Sequence, residues 1–135
     1  MANQHYILDS YAILALLNDE PGAERVASLL TQARNQEITL RMSLLNLGEV
    51  AYIVERRQGQ EKTRTLLAYL DDIGIMYEEV SRERILAAAH LKAQFPIAYA
   101  DAFAAALARE YSATLLTGDP EFSALTALTN VEWLV

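Results

Sequence analysis

Apolar and polar residues along the chain fall into a regular succession of short strands and amphipathic helices. Tyr6, Ile7 and Leu8 form an apolar run that ends at Asp9 and Ser10. From there Ile13, Leu14 and Leu17 recur at helical spacing, with Ser10 placed to cap the helix, and Pro21 and Gly22 break it. A second helix begins after Gly22 and carries Val26, Leu29 and Leu30 on one face, and "EITLRMS" reads as the second strand. "SLLNLGEVAYIVERRQG" follows as a helix ending near Gly59, with Leu44, Leu47, Val50, Ala51 and Val54 on one apolar face. A helix is predicted from about Glu61 to Asp72, then a strand in "IGIMYEEV" and a helix opened by Ser81. Pro96 separates the latter from the helix "YADAFAAALAREY". The chain then runs through strand "ATLLT", a turn-rich stretch with Asp119 and Pro120, and a last strand "VEWLV".

Strands that alternate with helices in this way predict an α/β fold, a central parallel sheet of about five strands covered by helices on both faces. Crossovers in such sheets are right-handed, and ligands gather beyond the carboxyl ends of the strands. Asp9 and Asp119 both stand at such ends, Asp9 straight after an apolar run and Asp119 after the run Ala113 to Thr117 and Gly118.

Composition narrows the picture. A chain of 135 residues, 53% hydrophobic and 21% charged, fits one compact domain over residues 1–135 with no disordered arm. The first twenty residues have no basic leader, and Asp9 and Ser10 interrupt their apolar stretch, so neither a signal peptide nor a membrane span is expected. Cysteine is absent, which removes disulfides and thiolate metal sites and makes a cytoplasmic protein the default. With 18 acidic residues against 11 basic ones the formal charge is −7, so nucleic acid would have to be gripped locally and not by a general phosphate attraction. Arg56, Arg57, Lys62 and Arg64 form one local concentration of cations, and Arg82 and Arg84 another; a solvated helix end accounts for either.

Four acids fit poorly with their surroundings. Glu49 has Leu45 and Ile53 one turn away on either side and so interrupts an apolar stripe. A half-buried carboxylate without a partner costs several kcal/mol, of order 1–3 even on mutational scales. Asp101 opens a helix that is otherwise small and apolar through Ala108; an acid in a first turn also gains about 0.3–1 kcal/mol from the helix dipole. Gly-Asp-Pro at Asp119 is an ordinary turn sequence as well, and Asp9 is a competent helix cap. A shared divalent metal accounts for all four together, since Mg²⁺ takes oxygen ligands and is held by a few carboxylates. His5 and His90 have no triad partners nearby, there is no glycine-rich phosphate loop, and the seven tyrosines make no stacking pattern.

The ordered set "YILDSYAILALL", "SLLNLGEV", "YADAFAAALA" and "LLTGDPEF" resembles the PIN domain, and specifically the small ribonuclease toxins of the VapC group in bacterial toxin–antitoxin pairs. The resemblance implies neighbouring first and fourth strands that bring Asp9 and Asp119 together, with Glu49 and Asp101 supplied by helices. It also implies Ser10 and Thr117 as supporting hydroxyls, and one or two Mg²⁺ or Mn²⁺ ions held by Asp9, Glu49 and Asp101, with Asp119 direct, through water or at a second site. The activity implied is hydrolysis of RNA phosphodiester bonds, with Arg56, Arg57, Lys62 and Arg64 steering the substrate. A homodimer and a small VapB-like antitoxin are the partners implied. The alternative is a non-catalytic or regulatory PIN-like protein that acts by binding a partner. A phosphoaspartyl enzyme of the haloacid-dehalogenase type is disfavoured because Tyr11 stands where its second acid would be.

Overall fold

The computed structural model describes residues 4–135. Its elements run β1 (Gln4–Leu8), α1 (Ser10–Leu17), α2 (Ala23–Arg34), β2 (Ile38–Ser43), α3 (Leu44–Gln58), α4 (Gln60–Ile73), β3 (Met76–Glu78), α5 (Arg82–Gln94), α6 (Tyr99–Glu110), β4 (Thr114–Thr117), a 3₁₀ helix (Pro120–Leu125) and β5 (Val131–Trp133). The five strands form one parallel sheet in the order β3-β2-β1-β4-β5. The order grows outward from β1 to β3 and then returns to the other side of β1, so β1 and β4 flank the point where the winding reverses. Crevices at such points are where α/β sheets bind ligands.

Alternation along the strands divides the core in two. Tyr6 and Leu8 of β1, Ile38, Leu40 and Met42 of β2 and Leu116 of β4 face Ile13, Val26, Leu29, Val50, Val54, Leu66 and Leu70 from α1 to α4. Ile7 and Leu115 point the other way, to Ala88, Leu91, Phe103, Leu107 and Phe122 from α5, α6 and the 3₁₀ helix. Each fully buried side chain of this size contributes roughly 1.5–3 kcal/mol, and helices are thereby fixed on both faces. No helix among the described residues is long and apolar enough to cross a membrane.

Three details depart from the sequence pattern. The buried face of α3 is Asn46, Val50 and Val54, whereas Leu44 is 40% exposed. The register of β1 with β2 sets Ser43 level with the carboxyl edge of the sheet, so α3 starts where no strand lies beneath its first residue. The third strand shrinks to Met76–Glu78, paired only with the last three residues of β2. The stretch after Asp119 is a 3₁₀ helix, with Asp119 as its cap and Pro120 at its start, held down by Phe122 and Leu125, both buried.

Candidate functional site

Pairing of Leu8 with Leu116 leaves Asp9 and Thr117 side by side at the carboxyl edge. Asp9 caps α1: its Oδ1 accepts the Ala12 backbone N–H at 3.0 Å, and its Oδ2 accepts the Thr117 hydroxyl at 2.5 Å. Ser10, expected to be the cap, is the first helical residue instead. Asp9 holds the extended backbone a cap requires and its carboxylate reaches three residues on, which frees the Ser10 hydroxyl to donate to Glu49 Oε1. That bond joins the start of α1 to the middle of α3.

Thr117 works in two directions. While its hydroxyl donates to Asp9, the same oxygen accepts the Asp119 backbone N–H at 3.0 Å. Asp119 in turn accepts the Glu121 N–H at 3.0 Å, capping the 3₁₀ helix. Gly118 between them is a steric requirement: a Cβ there would lie 2.6 Å from Cζ of Tyr11 and closer still to Cε1. Without a side chain, the turn lies against the tyrosine ring and sets where Asp119 projects.

Asp101 arrives from the first turn of α6 and is only 7% exposed. Carboxylate oxygens of Asp101, Asp119 and Glu121 come within 4.8 Å of one another. Asp9 joins this trio by its charge on Asp101 and through Thr117; Glu49, half-buried and bonded by Ser10, stands outside the trio. Glu121 is the member of the cluster that sequence reasoning missed. Its signal lay in Asp119-Pro120-Glu121, a cap residue followed by a proline at the first helical position, which turns the next acid back toward the cap.

The electrostatics are one-sided. Burial pushes Asp9 up to about 7, even though its bonds from Thr117 and Ala12 act to lower it. Burial pushes Asp101 up to about 8, helped by a hydrogen bond with Glu121 and the charges of Asp119, Glu121 and Asp9. Among the described residues none of these acids, nor Glu49, forms an ion pair with a basic side chain. Arg56, Arg57, Lys62 and Arg64 are exposed on α3 and α4, Arg56 lying 5.4 Å from the centre of the Tyr52 ring. They too form no ion pair among the described residues. Arg84, in contrast, is engaged with Glu78 and Glu110 and is no free helix-end cation.

The chain's sequence matches the family model "PIN domain" over residues 6–128. The chain belongs to the PIN-domain family. Over 83 residues it is 35% identical to a VapC ribonuclease of Mycobacterium bovis, a segment covering 62% of this chain and 60% of that relative's length. Among solved structures it is similar to VapBC2 of Rickettsia felis, bound to a DNA fragment from its promoter, with a TM-score of 0.75 at 19% identity over 96% of this chain and 98% of the other. It is also similar to VapC20 of Mycobacterium tuberculosis, a toxin that cleaves the sarcin-ricin loop, with a TM-score of 0.72 at 20% identity over 89% and 94%. These two likenesses establish the PIN fold, and the strand order and the acidic edge described above are how this chain builds it.

Proposed function

We propose that this chain, as a single PIN domain over residues 1–135, is a metal-dependent endoribonuclease and the cytoplasmic toxin of a toxin–antitoxin pair. The observation that carries the reading is the convergence of Asp9, Asp101, Asp119 and Glu121 at the winding reversal of the sheet with no basic partner among them. The donor set fits a hard divalent cation: all ligand atoms are carboxylate oxygens, and the charges that act on the buried Asp101 are those of Asp119, Glu121 and Asp9. Asp9, Asp101 and Asp119, with Glu49 and Glu121 beside them, would hold one or two Mg²⁺ or Mn²⁺ ions. When bound, such an ion neutralises phosphate charge and makes hydroxide accessible near neutral pH.

The chain's own residues do the positioning. Ala12 N–H and Thr117 fix both oxygens of Asp9. Thr117 ties Asp119 to the same edge, and Ser10 orients Glu49. The exposed Arg56, Arg57, Lys62 and Arg64 supply the local positive charge that RNA needs on an otherwise acidic chain. Similarity to a VapC ribonuclease and to a VapBC assembly supports RNA as the substrate and a VapB-like antitoxin as the partner. Exposed Leu44, Leu45, Ile85 and Leu86 offer apolar surface for that partner and for a homodimer.

Purified protein is expected to cleave a structured RNA in Mg²⁺ or Mn²⁺ and to stop when the ion is chelated. Asp9→Asn and Asp101→Asn should lower the rate by at least about 100-fold, the scale on which ligands and their supporting groups act in metal sites, with circular dichroism unchanged. Full cleavage by both folded variants would sink the assignment.

A further inference from the structure

We propose that Asn46 is the positioning residue that locks the two acid-bearing helices together, and that it sets the affinity of the site for its cation. The proposal rests on the reading of the acids as a divalent-ion site.

Asn46 lies in the first turn of α3, three residues before Glu49, and is completely buried. Its Nδ2 donates to the carbonyl of Ala100 at 3.1 Å, 54 residues away in sequence. Ala100 directly precedes Asp101 in the first turn of α6. One amide therefore spans from the helix of Glu49 to the residue adjoining Asp101, and no other side-chain hydrogen bond joins α3 to α6 among the described residues. The amide's orientation is fixed by chemistry, since only its NH₂ end can face a carbonyl oxygen. Its Oδ1 is then left buried with no hydrogen-bond partner.

An orphaned buried acceptor is a cost that an apolar residue would avoid. Asn46 also occupies the position on α3 that continues the apolar stripe of Val50 and Val54, where leucine would pack without any polar penalty. A residue placed for stability alone would not be asparagine. What asparagine supplies is a directional bond that ties the start of the helix carrying Glu49 to the first turn of the helix carrying Asp101, and so fixes how the two helices approach each other at the acidic edge. Groups that orient ligands in this way typically change metal affinity by 10- to 100-fold when removed.

The test compares wild type, Asn46→Leu and Asn46→Ala by thermal melting in chelator and by Mn²⁺ titration calorimetry, with RNA cleavage as a third readout. Both variants should bind Mn²⁺ about 10- to 100-fold more weakly, by similar factors, because both lose the same donor. Asn46→Leu should melt at or above the wild-type temperature, while Asn46→Ala, which leaves a void, should melt lower. Unchanged Mn²⁺ affinity in either folded variant overturns the proposal. So does an affinity loss that tracks the melting temperature, large in Asn46→Ala and absent in Asn46→Leu, because it makes the residue a packing element. If wild type itself binds no Mn²⁺, the metal reading falls and takes this proposal with it, an outcome distinct from a wild type that binds and variants that bind equally well.

Discussion

Two clusters of ionisable side chains lie against the same sheet and are built on opposite terms. Around β2, α5 and α6, Arg84 bonds Glu110 at 3.0 and 2.8 Å and Glu78 at 2.9 Å. Arg41 pairs with Glu78 at 3.2 Å and lies 3.9 Å over the ring of Tyr111, whose hydroxyl donates to Glu78 at 2.9 Å. Two guanidinium groups meet two carboxylates, and Arg84 holds Glu110 below the usual carboxylate range. At the carboxyl edge Asp9, Asp101, Asp119 and Glu121 meet one another with no cation, and Asp9 and Asp101 are pushed up to about 7 and about 8. The presence or absence of counter-charge separates a cluster that serves the fold from one that waits for an ion, and the cluster without it holds the more deeply buried carboxyl groups, Asp9 and Asp101. The first is complete as it stands. The second costs stability until something positive arrives.

Neutralising one acid in each cluster should give effects of opposite sign, and this is the largest difference expected. Glu78→Gln leaves Arg41 and Arg84 short of a partner; breaking a buried pair costs about 3–5 kcal/mol, less here because the Arg84 side chain keeps 23% of its exposure. The melting point should drop by several degrees, with or without metal. At about pH 8.5, above the value of about 8 to which Asp101 is raised, Asp101→Asn removes a like charge from the uncompensated cluster and should melt higher than wild type in chelator, and added Mn²⁺ should raise the wild type more than the variant. An Asp101→Asn protein that melts lower in chelator would place Asp101 with ordinary first-turn acids, which lose stability on neutralisation.

Gly118→Ala comes next. The added Cβ would sit 2.6 Å from Cζ of Tyr11, and overpacking of this kind costs typically about 1–3 kcal/mol. Since Thr117 and Asp119 flank the glycine, the displaced turn should also weaken Mn²⁺ binding. Adding Tyr11→Ala to Gly118→Ala should recover part of that binding by making room, which denaturant melts and metal titration of the two proteins can measure. A double variant no better than the single one would show that the ring does not seat the turn.

The pH dependence has two limbs, one from each cluster. Asp9 and Asp101 are raised in the folded chain above the 3.8 of a free aspartate. Their contribution to stability is therefore full below about 3.8 and is lost as pH rises through about 7 to 8. Glu110 is lowered, so its contribution is present above the ordinary glutamate range and lost on acidification. Metal-free protein should thus melt lower at about pH 8.5 than at about pH 6, by a few degrees. Asp101→Asn should flatten this alkaline limb and leave the acid limb alone. Saturating Mn²⁺ should flatten it too, because the ion displaces the protons. An alkaline limb that survives in full in the double variant Asp9→Asn/Asp101→Asn would trace it to other groups.

What was legible in the sequence follows the same division. Strands ending in Asp9 and Asp119 could be read from apolar runs stopped by an acid, and the alternation of elements pointed to a parallel sheet of five strands. Glu121 escaped because its place depends on a 3₁₀ turn anchored by Phe122, a tertiary contact with no local periodicity. Leu44 looked buried because helical spacing does not reveal that α3 starts past the end of the sheet. Asn46 carries no local signal, because its bond crosses 54 residues. The Arg41, Glu78, Arg84 and Glu110 cluster draws on four elements, so no local pattern marks it.

The smallest effect on stability, and the one that isolates substrate from fold, belongs to cations in neither cluster. Arg56, Arg57, Lys62 and Arg64 are exposed and form no ion pair among the described residues. Replacing all four by glutamine should move the folding free energy by only about 0.5 kcal/mol or less for each site, as at ordinary surface positions. If they neutralise RNA phosphates, affinity must nonetheless fall, and the slope of log K against log salt should flatten by about 0.7 for each phosphate of a single strand that is no longer neutralised. Mn²⁺ affinity should stay the same, since no hydrogen bond or ion pair among the described residues links these side chains to the acids. A filter-binding series at several salt concentrations, using Asp101→Asn as a non-cleaving background, measures the slope directly. A slope equal to that of the parent would make these four residues solvated helix ends, leaving the acidic edge to bind RNA through its ion alone.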